Sequence, residues 1–192
     1  MFEAASSGIE GLETVFCLLS GENPTLPQAE VEAILESEGH PMRVLLRHPR
    51  ILRVSSTVYR AEAVARRAAY TRRCCREILA CEAEESQVLK TVEASQFHRF
   101  LKRDETFRVE VVRVQPEVSL GAKRMEGEIG RAILHLVPHA RVDLARSAKT
   151  FLGVVIGKLF LLGLVIGRSG SGFASRRPHM RPFFHPSAMP PK

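Results

Sequence analysis

The sequence predicts an α+β protein, and three observations predict it. Residues 14–82 alternate apolar strand-like and helix-like runs in the order β-α-β-β-α-β. Residues 83–168 add a helix, an alternating strand, a longer helix, a short strand and an apolar hairpin. Beyond Gly167 the composition shifts abruptly to glycine, serine, arginine and proline, as in a connector.

The first run, "TVFCLLS" (14–20), reads as a buried strand. "ENPTLPQAEVEAILESEG" follows as a helix, with Pro27 suited to the first turn, Val31, Ile34 and Leu35 on one stripe, and Gly39 able to cap the end in a left-handed conformation. "MRVLLRH" (42–48) and "ILRVSST" (51–57) are strand-like and separated by Pro49-Arg50. "AEAVARRAAY" (61–70) is helical, and "CCREILACE" (74–82) is ambiguous, although a strand there closes the order. That order is the ferredoxin-like one, in which two helices cover one face of an antiparallel sheet.

"ESQVLKTVEA" (85–94) reads as a helix, with Val88 and Val92 one turn apart. "ETFRVEVVRV" (105–114) alternates Phe107, Val109 and Val111 with Arg108 and Glu110, the pattern of a half-buried strand. "AKRMEGEIGRAILHLV" (122–137) is helical by period, with Met125, Ile129, Ile133 and Leu136 expected inside, and Pro138 ends it. Gly127 and Gly130 each cost this helix roughly 1 kcal/mol against alanine, which implies close approach of a neighbour or a ligand. "RVDL" (141–144) is a short strand.

"FLGVVIGKLFLLGLVIG" (151–167) imitates a membrane span, but its 17 residues fall short of the roughly 20 a bilayer needs. Lys158 stands at its centre, where insertion costs roughly 2.5–3.5 kcal/mol. Gly157-Lys158 divides it into two β-rich halves, so a hairpin of central strands is expected, and no membrane contact. The N-terminal "MFEAASSGIEGLE" has neither a basic start nor an apolar stretch, and residues 1–13 are expected to be a short disordered extension.

The 192 residues carry a net charge of +7, unevenly spread: residues 1–59 hold four Arg against eight Glu, while residues 60–192 have a net charge of +11. The last 25 residues contribute +5 with no acid. Such a balance points to a polyanion, most often nucleic acid. Four cysteines (17, 74, 75 and 81) form no C-x-x-C. Cys74, Cys75 and Cys81 are the only metal candidates, and buried reduced thiols of a cytoplasmic protein suit them better. His135 and His139 have Pro138 between them, which breaks helical spacing, and no metal site is expected.

Nor does the sequence offer obvious catalysis. It has no G-x-G-x-x-G, P-loop, H-E-x-x-H or G-x-S-x-G. Asp143 reads as a turn or strand-edge carboxylate paired with Arg141 or Arg146. The cations are more suggestive. Lys123, Arg124 and Arg131 share a helix whose glycine entry and exposed amides suit an anion, and Arg141, Arg146 and Lys149 flank the short strand. Arg176, Arg177 and Arg181 lie in the tail.

The β-α-β-β-α-β unit, the "MEGEIGRAI" helix, "RVDL" and the glycine-broken hairpin resemble a THUMP domain with its usual N-terminal partner. The tail "FASRRPHMRPFFHPSAMPPK" is similar to the linker of the archaeal and eukaryotic tRNA guanosine-N2 methyltransferases that act on position ten. The resemblance implies a ferredoxin-like domain at 14–82, a THUMP α/β domain at 83–168, and an extended linker at 169–192 that in the family leads into a Rossmann-like methyltransferase domain. Two departures stand out. Ala145-Arg146-Ser147-Ala148 occupies the place of the family's Asn-Pro, and the Asp/Asn-Pro-Pro-aromatic motif that positions the guanine amine is absent, as is an S-adenosylmethionine site.

What the resemblance implies is a module that holds the acceptor stem and 3′ end of tRNA without catalysis of its own. The methyltransferase domain and its S-adenosylmethionine would be supplied in cis or in trans, and an activator subunit is left open. The cations named above are the expected RNA contacts. Two alternatives stay open: a stand-alone RNA-binding module with no methyltransferase partner, and a basic face that docks an acidic protein.

Overall fold

The computed structural model describes residues 12–39, 42–114, 120–168 and Ser187. The expectations for residues 1–11 and for the linker, including Arg176, Arg177 and Arg181, lie outside the described residues.

The elements follow the order β1 (Glu13–Leu19), α1 (Leu26–Ser37), β2 (Arg43–His48), β3 (Ile51–Ser56), α2 (Val58–Arg67), β4 (Thr71–Glu82), α3 (Glu85–Glu93), β5 (Thr106–Arg113), α4 (Ala122–Leu136), β6 (Arg141–Val142), β7 (Lys149–Ile156) and β8 (Leu159–Arg168). A single 3-10 turn at Phe97–Arg99 joins α3 to β5. The ambiguous cysteine-rich run is thus a strand of 12 residues, and it holds the molecule together. Its first half pairs with β1, and nearly all of it pairs with β8, both antiparallel.

All eight strands form one sheet in the order β2-β3-β1-β4-β8-β7-β5-β6. The half formed by β2, β3, β1 and β4 is antiparallel throughout. In the other half β5 lies parallel to both β7 and β6, which the α4 crossover makes possible. β7 and β8 form the expected hairpin, and Gly157 at its tip has φ 54°. Both are interior strands, which is why their sequences run apolar without alternation.

Three cores result. α1 and α2 cover Val15, Cys17, Leu19, Leu52 and Val54. α3 and α4 cover a larger core built around Phe97, Phe107, Phe151 and Phe160. Phe151 meets Phe97 and Phe107 edge to ring, with centroids 5.3 and 5.9 Å apart. Among the described residues the third core is made of strand side chains and Val114, including Phe16, Ile51, Cys75, Leu152 and Leu161. The neighbours Cys74 and Cys75 point into different cores, as successive strand residues must.

Two glycines of the hairpin are required by packing. A Cβ on Gly163 would lie 2.6 Å from the Arg76 carbonyl oxygen and 2.7 Å from the Phe16 ring. One on Gly167 would lie 2.2 Å from Cβ of Ala65, where α2 crosses β8. The α4 glycines are different. Apart from the adjacent residues and the backbone of α4 itself, no atom of the described residues lies within 4 Å of where a Cβ on Gly127 or Gly130 would sit, so no described neighbour accounts for them. Leu136, expected inside, is 38% exposed because α4 ends there and turns its last residue outward. The helix read at 61–70 begins earlier and ends sooner, at Val58–Arg67. No helix among the described residues is long and apolar enough to cross a membrane.

Candidate nucleic-acid interface

The cations named from the sequence separate into two groups. Lys123, Arg124 and Arg131 project from α4, and each meets a carboxylate there. Lys123 binds Glu126 at 3.0 Å, Arg131 binds Glu128 at 2.9 Å, and Arg124 reaches Glu85 of α3 at 2.7 Å. Glu126 also accepts the Val111 amide at 3.1 Å, so this ion pair is tied to β5. All three cations are well exposed, and such surface pairs are worth little in stability and exchange easily for another anion.

The second group surrounds β6 and the start of β7. Arg141 pairs with Asp104 at 3.1 Å. Lys149, only 26% exposed, donates to the Phe100 carbonyl at 2.7 Å and lies 3.4 Å from Glu105, so it braces β7 against the 3-10 turn. Arg146 is exposed, and among the described residues its side chain makes no ion pair. Among the described residues Asp143 is not bound to an arginine side chain, where the sequence reading has it paired with Arg141 or Arg146. Its Oδ1 accepts the amides of Ala145 at 2.8 Å and Arg146 at 2.9 Å. These donors, Arg146 first, hold the carboxyl below the usual carboxylate range. The carboxylate therefore shapes the 143–148 loop and leaves the Arg146 guanidinium open.

That loop forms one wall of a groove of about 430 Å³. The other walls are Arg108 on β5, Thr150 on β7 and Val165–Gly167 on β8. Arg108 is held by the Thr150 hydroxyl at 3.2 Å and the Leu144 carbonyl at 3.3 Å. It shares Glu110 with Arg73 of β4, so two guanidiniums meet one carboxylate beside the groove. With Arg146 the groove has an uncompensated positive charge, which suits a phosphate. Sequence reasoning missed Arg108 and Arg73. "FRVEV" signals only an outward-facing arginine, and the pairing of β5 with β7 that turns it toward the loop is non-local.

A second groove of about 450 Å³ runs between α3 and α4, bounded by Leu89, Glu93, Glu128, Arg131, His135 and the exposed Leu136. Among the described residues no cluster of three or more His, Cys, Asp or Glu could hold a metal ion.

The architecture is a mixed α/β fold shared with solved structures about twice the length of this chain's matched part. TrmN from Thermus thermophilus superposes with a TM-score of 0.62 at 17% identity, over 85% of this chain and 49% of that one. PH1313 from Pyrococcus horikoshii Ot3 gives 0.60 at 18% identity, over 80% and 55%. In sequence the chain is similar to the tRNA (guanine(10)-N2)-dimethyltransferase of Methanothermobacter thermautotrophicus, 28% identical over 177 residues. That match covers 91% of this chain and 50% of the relative, so the chain spans about half the length of the enzyme it resembles. No family model matches.

Proposed function

We propose that this chain is the tRNA-binding half of a tRNA guanine-N2-methyltransferase, a targeting module that holds the acceptor 3′ end and carries no methyl transfer of its own. The observation that carries this reading is the 28% identity across 91% of the chain to half of an enzyme whose name specifies that reaction. In this reading residues 14–82 are the ferredoxin-like domain, residues 83–168 the THUMP domain and residues 169–192 the linker to a methyltransferase domain. The antiparallel order β2-β3-β1-β4 behind a β-α-β-β-α-β sequence supports the first assignment. The parallel β5–β7 pair bridged by α4 supports the second. S-adenosylmethionine belongs, in this reading, to the domain beyond the linker, and the protein works in the cytoplasm.

Arg146 and Arg108 form the centre of the proposed RNA contact, because the groove between them is positive and open. Lys123, Arg124, Arg131 and Arg141 contribute where RNA phosphates displace their carboxylates, and Arg176, Arg177 and Arg181 extend the contact along the linker. Lys149 acts here by bracing β7, which carries one wall of the groove. Affinity resting on such contacts is electrostatic, about 10⁻⁶–10⁻⁴ M at physiological salt, and falls steeply as salt rises.

Fluorescence anisotropy with intact tRNA and with tRNA trimmed of its 3′ tail tests the reading. Weaker binding of the trimmed form is expected, whereas equal affinity excludes end recognition. The purified chain, given labelled S-adenosylmethionine and tRNA, is expected to transfer no methyl group. Transfer above background would make it an enzyme in its own right. Binding of an acidic protein with indifference to tRNA would favour a docking module instead.

A further inference from the structure

The two arginines of the groove are not equivalent. Arg108 has all three guanidinium nitrogens engaged inside the protein. Its Nε donates to the Thr150 hydroxyl at 3.2 Å, its Nη1 donates to the Leu144 carbonyl at 3.3 Å, and its Nη2 pairs with Glu110. The side chain is only 21% exposed, and Thr150 beneath it is buried. Glu110 is in turn held by Arg73 of β4, so the fork is anchored on a fixed carboxylate. Arg146 is the opposite case. Its amide is bonded to Asp143, while its exposed guanidinium makes no ion pair among the described residues.

What Arg108 holds is the loop that carries Arg146. Three consecutive residues of β5 tie this loop down. The Phe107 carbonyl accepts the Asp143 amide at 3.0 Å, Arg108 binds the next carbonyl, that of Leu144, and the Thr106 hydroxyl accepts the Ala148 amide at 2.9 Å. Between these anchors the Asp143 carboxylate accepts the amides of Ala145 and Arg146. The backbone is therefore fixed on both sides of Arg146. A cation on such a loop meets a phosphate without the cost of ordering the loop first. The hold depends on the shape of the arginine. A planar fork reaches three acceptors at once, whereas a lysine has the same charge on a single nitrogen.

We propose that Arg108, seconded by Thr106, is a positioning residue for RNA: it anchors the 143–148 loop so that Arg146 meets the phosphate, and it acts through Arg146 rather than by its own charge. The proposal rests on the RNA-binding reading above and divides the work within the central groove.

The test is a double-mutant cycle read by fluorescence anisotropy with labelled intact tRNA over a range of salt. Arg146→Ala is expected to weaken binding about fivefold at low salt and to lower the slope of log K against log salt by about 0.7–0.9, the share of one phosphate contact. Arg108→Lys leaves the net charge unchanged, yet the same loss and the same fall in slope are expected. Added to Arg146→Ala, it is expected to change neither further. If the lysine variant does not fold, Thr106→Val decides in its place. It removes the anchor at Ala148 and no charge, the same loss is expected, and parent-like binding overturns the proposal. A parent chain that ignores tRNA overturns the functional reading itself. Binding that survives Arg146→Ala unchanged removes the groove from the contact, and this inference with it. Parent-like affinity of Arg108→Lys overturns the positioning role alone, as does a loss that persists in full in the Arg146→Ala background, which would make Arg108 a direct contact.

Discussion

Gly163→Ala is the most informative single substitution for the fold, because it adds one methyl where the sheet has no room. The new Cβ would meet the Arg76 carbonyl oxygen at 2.6 Å, the Phe16 ring at 2.7 Å and Cβ of Cys75 at 3.1 Å. Backbone and strand-embedded groups cannot swing away as a long surface side chain can. The Phe16 ring is fully buried in the strand-only core, so its movement would disturb that whole layer. Overpacking of this kind costs about 1–3 kcal/mol, and contact with a backbone oxygen places this case at the upper end, about 3 kcal/mol. For a domain of this size that lowers Tm by about 6–12 °C.

Urea denaturation followed by circular dichroism measures the loss, with Gly127→Ala as the control. Gly127 lies in a helix with nothing near its missing Cβ, so the same added methyl is expected to stabilise by up to about 1 kcal/mol. The two substitutions should shift the midpoint in opposite directions. A Gly163→Ala protein within about 0.5 kcal/mol of the parent would refute the argument that Phe16 and Arg76 close over β8.

Arg146→Ala, which removes an exposed cation with no ion pair among the described residues, should weaken tRNA binding several-fold at low salt and leave Tm unchanged; unchanged affinity would remove the groove from the RNA contact. Thiol labelling of the native chain should reach Cys81 first, because Cys74 and Cys75 are fully buried; the hydrogen bond with the Cys17 sulfur 3.3 Å away, and then burial, hold the Cys74 thiol well above its usual range, and burial holds Cys75 there. Rapid modification of Cys74 or Cys75 without denaturant would contradict that packing. Asp143 titrates below the ordinary carboxylate range, so its hold on the Ala145 and Arg146 amides is complete above its unfolded value of about 3.9 and is lost as pH falls through its lower folded value. NMR shifts of those two amides should move only in that acid window, and movement near neutrality would show another group in control. Glu77→Ala leaves Arg53 without its two-bonded partner in a half-buried site, and a loss of about 3 kcal/mol in urea denaturation is expected, against none if the pair is solvated.

Much of this molecule was legible along the chain because the signals involved are short-range. Apolar periodicity located α1, α3, α4 and β5 to within a residue or two, and the glycine at 157 marked the hairpin tip. The unbroken apolar runs of 151–167 identified interior strands, since a strand covered on both faces has no polar side to show. Overall basicity and the acid-free stretch after Gly167 make a nucleic acid the partner that the sequence alone favours. Charge alone does not single out the proposed contact, because the sequence shows cations without their partners. Lys123, Arg124 and Arg131 looked alike and free, yet each meets a glutamate in the folded chain.

What the tertiary structure decided depends on contacts between residues far apart in the chain. The cysteine-rich run became a strand because β1 and β8 lie on either side of it, not because of its own pattern. Arg108 and Arg73 converge on Glu110 only once the second half of the sheet is assembled. Arg60 reads as one more helix arginine, and only the fold shows it 5% exposed, with its Nη1 unpartnered among the described residues. Local periodicity sets which residues form a helix or a strand, whereas pairing, burial and the balance of charge at a point are properties of distance in space, and the chain acquires those only when it folds.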